Sequence, residues 1–200
     1  MNKFFTAISL VLFLSVFAFS QTKSIADAES EIKTFQNFAN FSVAYEDSKD
    51  LTTAKFFLDI LETDENLQKS FKKFEWEITS IYSGNVIDEK PVRNVLCINT
   101  QSKRPNFASN NTLTISLGKE DVNFGEPNRS SEVKGGKVKE NLCWDVNKEI
   151  IEDFGKAENI SFQVGSIKSS IPANMLQFFK DYAKLLKLNN EQISKFKKER

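Results

Sequence analysis

From Glu75 the chain alternates. Trp76, Ile78, Ser80 and Tyr82 interleave with Glu75, Glu77 and Thr79 before Ser83-Gly84-Asn85 breaks the pattern. A period of two ended by turn residues predicts a half-buried strand. Residues 91–100 repeat the pattern behind Pro91, which suits a strand start because a strand interior needs its N–H. Residues 111–118 predict a third strand closed by Gly118, and 121–125 a short fourth. Residues 131–146 predict a hairpin, since two alternating runs flank Gly135-Gly136, a pair that accepts the positive φ of a tight turn. Residues 148–157 suit one or two helical turns, and 158–166 return as a strand with Ile160, Phe162 and Val164 on one face.

Either side of this block the period changes. After Pro172, Met175, Phe178, Phe179, Tyr182, Leu185 and Leu186 form one stripe at helical spacing, ending near Asn189-Asn190. Near the start, Ile25, Ala28, Ile32, Phe35 and Ala39 form another behind Ser24 as an N-cap. Phe41, Val43 and Tyr45 then alternate as in a short strand. Residues 51–62 fit both periods: Leu51, Ala54, Leu58 and Leu61 align as a helix, Ala54, Phe56, Leu58 and Ile60 as a strand. For 63–74, Leu67, Phe71 and Phe74 favour helix. Helices and strands segregate along the chain. The expected class is therefore α+β: N-terminal helices, an antiparallel sheet or two-layer β domain, and a C-terminal amphipathic helix.

Residues 1–20 hold Lys3, an uncharged apolar run from Phe4 to Phe19, and the small residues Ala18 and Ser20. This is the layout of a cleavable secretory signal. The run is shorter than the ~20 apolar residues of a spanning helix, and no later segment is long enough. The expected organisation is a signal peptide over 1–20, a mainly helical segment over 21–74, a β-rich domain with its closing helix over 75–190, and a basic tail over 191–200.

Composition narrows the chemistry more than it names it. The 27 basic and 27 acidic residues balance, so no global field favours nucleic acid, and none is expected as a partner. The sequence has no histidine, which removes the usual general base, the imidazole triads and the commonest zinc ligand. Neither a cofactor nor a metal is expected. The phosphate-binding loop spacing is missing around Gly135-Gly136, which belong to a turn.

The two cysteines are the candidate site residues. Alternation puts Cys143 with Lys139, Asn141 and Asp145, opposite Val138, Glu140, Leu142, Trp144 and Val146; it puts Cys97 with Arg93, Val95 and Asn99. Both lie on polar strand faces. If those strands neighbour each other, the expected product in an oxidising compartment is a Cys97–Cys143 disulfide; the alternative is two separate thiols. A catalytic thiol would need Lys139 or Arg93 to stabilise the thiolate, and the C-x-x-C spacing of redox dithiols is absent.

Glu75 with Glu77, and Glu120 with Asp121, are the carboxylate pairs available to a histidine-free hydrolase, which would need them to face each other across a cleft. Phe35, Phe38, Phe71, Phe74, Phe178, Phe179 and Tyr182 sit on apolar stripes, as core or as the lining of an apolar-ligand pocket. Glycosylation sequons stand at Asn40, Asn110, Asn128 and Asn159. The expected function is an exported, non-enzymatic binding or scaffold protein, periplasmic or secreted, whose partner is a macromolecule or envelope component. Its expected contact surfaces are loops 101–111 and 124–131. The alternatives are a carrier of a lipid-like ligand between sheet and helix, and the carboxylate hydrolase.

Overall fold

The computed structural model describes residues 40–188 except 86, 88, 89, 110 and 119, together with 191 and 192. The expected signal peptide, the helix over 24–39, the sequon at Asn110 and most of the basic tail lie outside the described residues.

Ten strands form two antiparallel sheets. The larger is ordered β1 (Phe41–Glu46), β2 (Leu51–Asp59), β3 (Phe71–Ser83), β4 (Arg93–Ser102), β8 (Lys137–Val146), β7 (Asn128–Lys134). The smaller is ordered β10 (Ile167–Ile171), β9 (Ile160–Val164), β5 (Leu113–Ser116), β6 (Asp121–Gly125). Among the described residues, three short α-helices accompany them: α1 (Glu65–Ser70), α2 (Lys148–Lys156) and α3 (Leu176–Leu185). Among the described residues, none is long and apolar enough to cross a membrane.

The architecture is more β-rich than an α+β domain with N-terminal helices. The expected C-terminal helix is present as α3, but residues 51–59 are a strand, and helix over 63–74 shrinks to α1. Period two prevails in β2 because Thr52, Ala54, Phe56 and Leu58 are all buried while their neighbours are not. The error at Phe71 and Phe74 has a specific cause. A β-bulge sits between Phe71 and Lys73 in the pairing of β3 with β4, leaving Lys72 without a partner position. One extra residue turns a three-residue interval into two inward-facing rings, 5.1 Å apart and edge to face, which imitates helical spacing. Strand β3 also runs through the expected boundary at 74/75, so the first strands and the later ones share one sheet.

The four inner strands of the large sheet each bury one face. Ala54, Phe56 and Leu58 of β2, Phe74, Trp76, Ile78 and Tyr82 of β3, Leu96 and Ile98 of β4, and Leu142 and Trp144 of β8 are all nearly solvent-free. Phe162 of β9 packs on Trp76 (5.1 Å between ring centroids) and Phe74 (5.8 Å), placing the small sheet over one part of that face. Phe154 of α2 and Phe179 of α3 meet Trp76 edge to face at 6.1 and 6.2 Å, so the helices cover the rest. Phe56 and Phe41 continue the layer to Tyr182 at 5.6 and 6.3 Å. The Tyr182 hydroxyl donates to the Ala54 carbonyl oxygen (3.0 Å) and exchanges a hydrogen bond with Ser80 Oγ (3.1 Å). Burial pushes this phenol far above its ordinary pKa, so it stays a neutral donor.

Polar groups fix the junctions between layers. Trp144 Nε1 donates to the Gly125 carbonyl oxygen (3.0 Å), tying β8 to the end of β6 where the chain leaves the small sheet for the large one. Asp64 caps α1, accepting from the N–H groups of Asn66 and Leu67, and its other oxygen accepts from Ser169 Oγ of β10. Partial burial pushes the Asp64 carboxyl up, but these hydrogen bonds outweigh it and hold its pKa below the ordinary carboxylate value.

Two measurements test these junctions. A Cβ added at Gly155 would lie 2.6 Å from the Ala183 Cβ, so α2 and α3 approach too closely for any side chain there. Gly155→Ala should therefore destabilise by about 1–3 kcal/mol in urea unfolding, despite alanine's better helix propensity, and Ala183→Gly in that background should restore most of it. For Asp64, a depressed folded-state pKa means its stabilisation is fully present above the unfolded value of ~3.9 and is lost as the pH falls through the folded one. Asp64→Ala should cost about 0.5–2 kcal/mol at pH 7, and the gap to wild type should close in acid.

Candidate functional site

The other face of the large sheet is polar, and its side chains line up in rows across the strands. One row runs Phe57, Glu77, Cys97, Cys143, Asn128 from β2 to β7. The next runs Asp59, Glu75, Asn99, Asn141, Ser130, and the one beyond it Lys73, Gln101, Lys139, Glu132. This register places Cys97 and Cys143 directly opposite each other, and they are disulfide-bonded with Cα atoms 4.1 Å apart. That spacing is nearer the ~4.5 Å of a non-hydrogen-bonded antiparallel pair than the ~5.5 Å of a hydrogen-bonded one. The expected bridge is thus present, and the thiol roles considered for Lys139 and Arg93 have no thiol to act on. Arg93 instead pairs with Asp145 (2.6 Å) on the exposed rim.

A chain of polar contacts crosses four strands beside the disulfide. Lys55 Nζ lies 3.3 Å from Glu77, and Lys73 Nζ lies 3.0 Å from Glu75. Asn99 Nδ2 donates to Glu77 (3.0 Å) and more weakly to Glu75 (3.4 Å). Asn141 Nδ2 donates in turn to Asn99 Oδ1, and Asn141 Oδ1 rests 2.9 Å from Cys143 Sγ. Glu75 and Glu77 are therefore occupied: each faces a lysine, and they share one amide donor. They are neighbours along one strand rather than a pair facing across a cleft. Asp121 opens β6 on the other sheet, exposed.

Beside this network lies a groove of about 590 Å³, a volume in the range of small-ligand sites. Lys73, Asn99, Gln101, Ser130, Lys139 and Asn141 are among its lining residues. Its donors and acceptors are amides, hydroxyls, the ammoniums of Lys73 and Lys139, and the carboxylates of Glu132 and Glu140. Among the described residues, no three of His, Cys, Asp and Glu come close enough to hold a metal ion.

Glu140 organises the ground beneath. It lies on the buried face of β8, with no side-chain exposure, yet carries a carboxylate. Oε1 accepts from Arg129 Nη2 (2.8 Å) and the Phe107 N–H (3.2 Å), and Oε2 accepts from the Asn106 N–H (2.8 Å). Ser102 Oγ and Asn106 Nδ2 both donate to the Arg104 carbonyl oxygen, at 2.7 and 3.1 Å. Phe107 is itself buried and stacks with Phe71 at 6.0 Å. The expected loop 101–111 is therefore anchored at its centre. The expected loop over 124–131 is mostly strand: β6 ends at Gly125, β7 begins at Asn128, and only Glu126 and Pro127 connect them. The sequon asparagines Asn128 and Asn159 are exposed, whereas Asn40 donates its side-chain amide to the Phe57 carbonyl oxygen (2.7 Å).

Sequence alone missed the clamp at Glu140, although its signal is there. Alternation puts Glu140 between Val138 and Leu142, and a charge on an otherwise apolar strand face has to be matched inside the protein. The partner, Arg129, lies in a segment read as loop.

No family model matches this chain. Nor does any curated protein or solved structure.

Reduction of the Cys97–Cys143 bond, which spans a sequence separation of 46, should lower unfolding free energy by about 4 kcal/mol on the chain-entropy estimate. Glu140→Ala should cost a comparable ~3–5 kcal/mol, because it strands Arg129 and two backbone N–H groups without their acceptor. Urea titrations of the reduced protein and the variant check both figures.

Proposed function

We propose that this protein is an exported, non-enzymatic binding module whose ligand lies along the polar groove of the large sheet. One observation carries this. The groove's carboxylate neighbours Glu75 and Glu77 are matched by Lys73, Lys55 and Asn99, and its own lining sets Lys73 and Lys139 against Glu132 and the clamped Glu140, so it carries no net charge and offers a ligand amide and hydroxyl hydrogen bonding on a rigid frame. That chemistry suits a neutral, hydroxyl-rich partner, and we assign the ligand class as a glycan of the cell envelope or extracellular surface. Asn and Gln side chains meet paired hydroxyls with a donor and an acceptor each, a match that a fixed sheet positions in advance. The apolar run from Phe4 to Phe19 supports export, and a disulfide with Cys97 buried is consistent with an oxidising compartment.

The carrier alternative draws less support. In the layer between sheet and helices, Phe56, Trp76, Phe154, Phe162 and Phe179 touch one another at 5.0–6.2 Å, so the protein's own rings occupy that space. For the hydrolase alternative, Glu75 and Glu77 stand side by side on β3 and are matched by lysines, rather than facing each other across a cleft.

The test is a titration of isotope-labelled protein with defined oligosaccharide fragments of envelope and extracellular polymers, followed by amide shifts. Binding should perturb Asn99, Gln101 and Asn141, and Asn141→Ala should weaken it by about tenfold, the loss of one or two hydrogen bonds. Binding that leaves these amides unmoved, or a stoichiometric lipid on protein purified from its own host, would overturn the assignment.

A further inference from the structure

A second pocket, of about 210 Å³, lies where α1 meets the start of β3 and the loop after β4. Lys69, Ser70, Lys72, Lys103, Arg104 and Asn106 line it, and it shares no lining residue with the groove. Four cations converge on a space the size of one small ion and its first contacts. Six other basic residues, Lys49, Lys55, Lys73, Arg93, Arg129 and Lys156, are paired with carboxylates, yet none of these four is. Lys69 donates to Asn66 Oδ1 (3.1 Å) and feels the Asp64 carboxylate at the start of its helix, without forming an ion pair with it. Among the described residues no carboxylate lines the pocket. The buried Glu140 below it is matched by Arg129 and the Asn106 and Phe107 N–H groups.

Like charges repel, so gathering four of them around one space, with only Asp64 near Lys69 to offset them, costs stability. The fold nevertheless fixes the backbone that carries three of them. The β-bulge takes Lys72 out of the ladder between Phe71 and Lys73, and bulges re-aim side chains in this way. The loop carrying Lys103 and Arg104 is pinned by Glu140, by the two donors to the Arg104 carbonyl oxygen, and by the buried Phe107 ring. Two independent devices thus hold the backbone of Lys72, Lys103 and Arg104 beside one small space.

We propose that this pocket binds a tetrahedral oxyanion: a phosphate or sulfate group, carried on a soluble molecule or on a lipid head. Arg104 offers a planar two-pronged donor, the lysines offer point charges, and Ser70 and Asn106 supply neutral polar groups. The glycan assignment stands or falls separately, since the two sites have different residues and different ligands.

The experiment follows amide shifts of the full folded chain titrated with inorganic phosphate and with sulfate, using chloride at matched ionic strength as control. Saturable shifts should cluster at 69–72 and 103–106, leaving Asn141 unmoved. The double variant Lys72→Glu, Arg104→Glu should weaken binding by more than about tenfold, as two charge-assisted contacts become repulsive. Both side chains are exposed, and a melting temperature no lower than the wild type's checks that the variant is folded. Co-sedimentation with phosphatidylglycerol–phosphatidylcholine vesicles, but not with phosphatidylcholine alone, assigns the group to a lipid head. Phosphate binding without co-sedimentation assigns it to a soluble carrier. Identical shifts with chloride, or binding unchanged in the double variant, would overturn the proposal.

Discussion

The pairing of β4 with β8 is the constraint on which the rest of the molecule depends. Because strand side chains alternate with a period of two, a slip of one residue would turn every side chain of β8 to the wrong face. It would bring Leu142 and Trp144 onto the polar side and carry Asn141 and Lys139 into the aromatic layer. A covalent bond between Cys97 and Cys143 forbids that slip. The dry face and the wet face of the sheet are thus decided together, and so are the aromatic layer under the helices and the amide rows above it.

The two faces solve opposite problems. On the dry face the rings of Trp76, Phe74, Phe162, Phe154 and Phe179 meet mostly edge to face or tilted, an arrangement that fills space between a twisted sheet and crossing helices. On the wet face, charge is matched strand by strand. Glu140 alone belongs to both: it descends into the dry side and holds the loop that borders the wet one. A buried carboxylate contributes little net stability of its own, since desolvation offsets much of its attraction to Arg129. Its value is positional, because only one arrangement of that loop satisfies it.

Much of this was legible from residue order. The central strands, the Gly135-Gly136 hairpin with both glycines at positive φ, the terminal helix and the faces of both cysteines all follow from periodicity and turn chemistry. Their apolar sets are long enough to leave no second option. Failures occur where the local signal was thin or was imitated. In β10 only Ile167 and Ile171 are apolar, separated by Lys-Ser-Ser, so pairing with β9 rather than composition makes it a strand. The first half of β7 is a polar edge that buries almost nothing. At Phe71 and Phe74 a bulge imitates a helical repeat. For the candidate sites, the faces were readable but the distances were not: which lysine meets which glutamate, and which cations lack a carboxylate, depends on strand order.

The disulfide also decides how the molecule carries a load. The bond closes a covalent ring spanning residues 97 to 143, and that ring contains β5, β6 and β7. Tension applied to the chain before Cys97 and after Cys143 travels through the sulfur–sulfur bond and bypasses everything within the ring. The edge strand that borders the groove, and two strands of the small sheet, are therefore shielded from stretching of the chain outside them. For a protein held at a surface, that shielding would keep the groove's wall in place while other parts of the molecule yield.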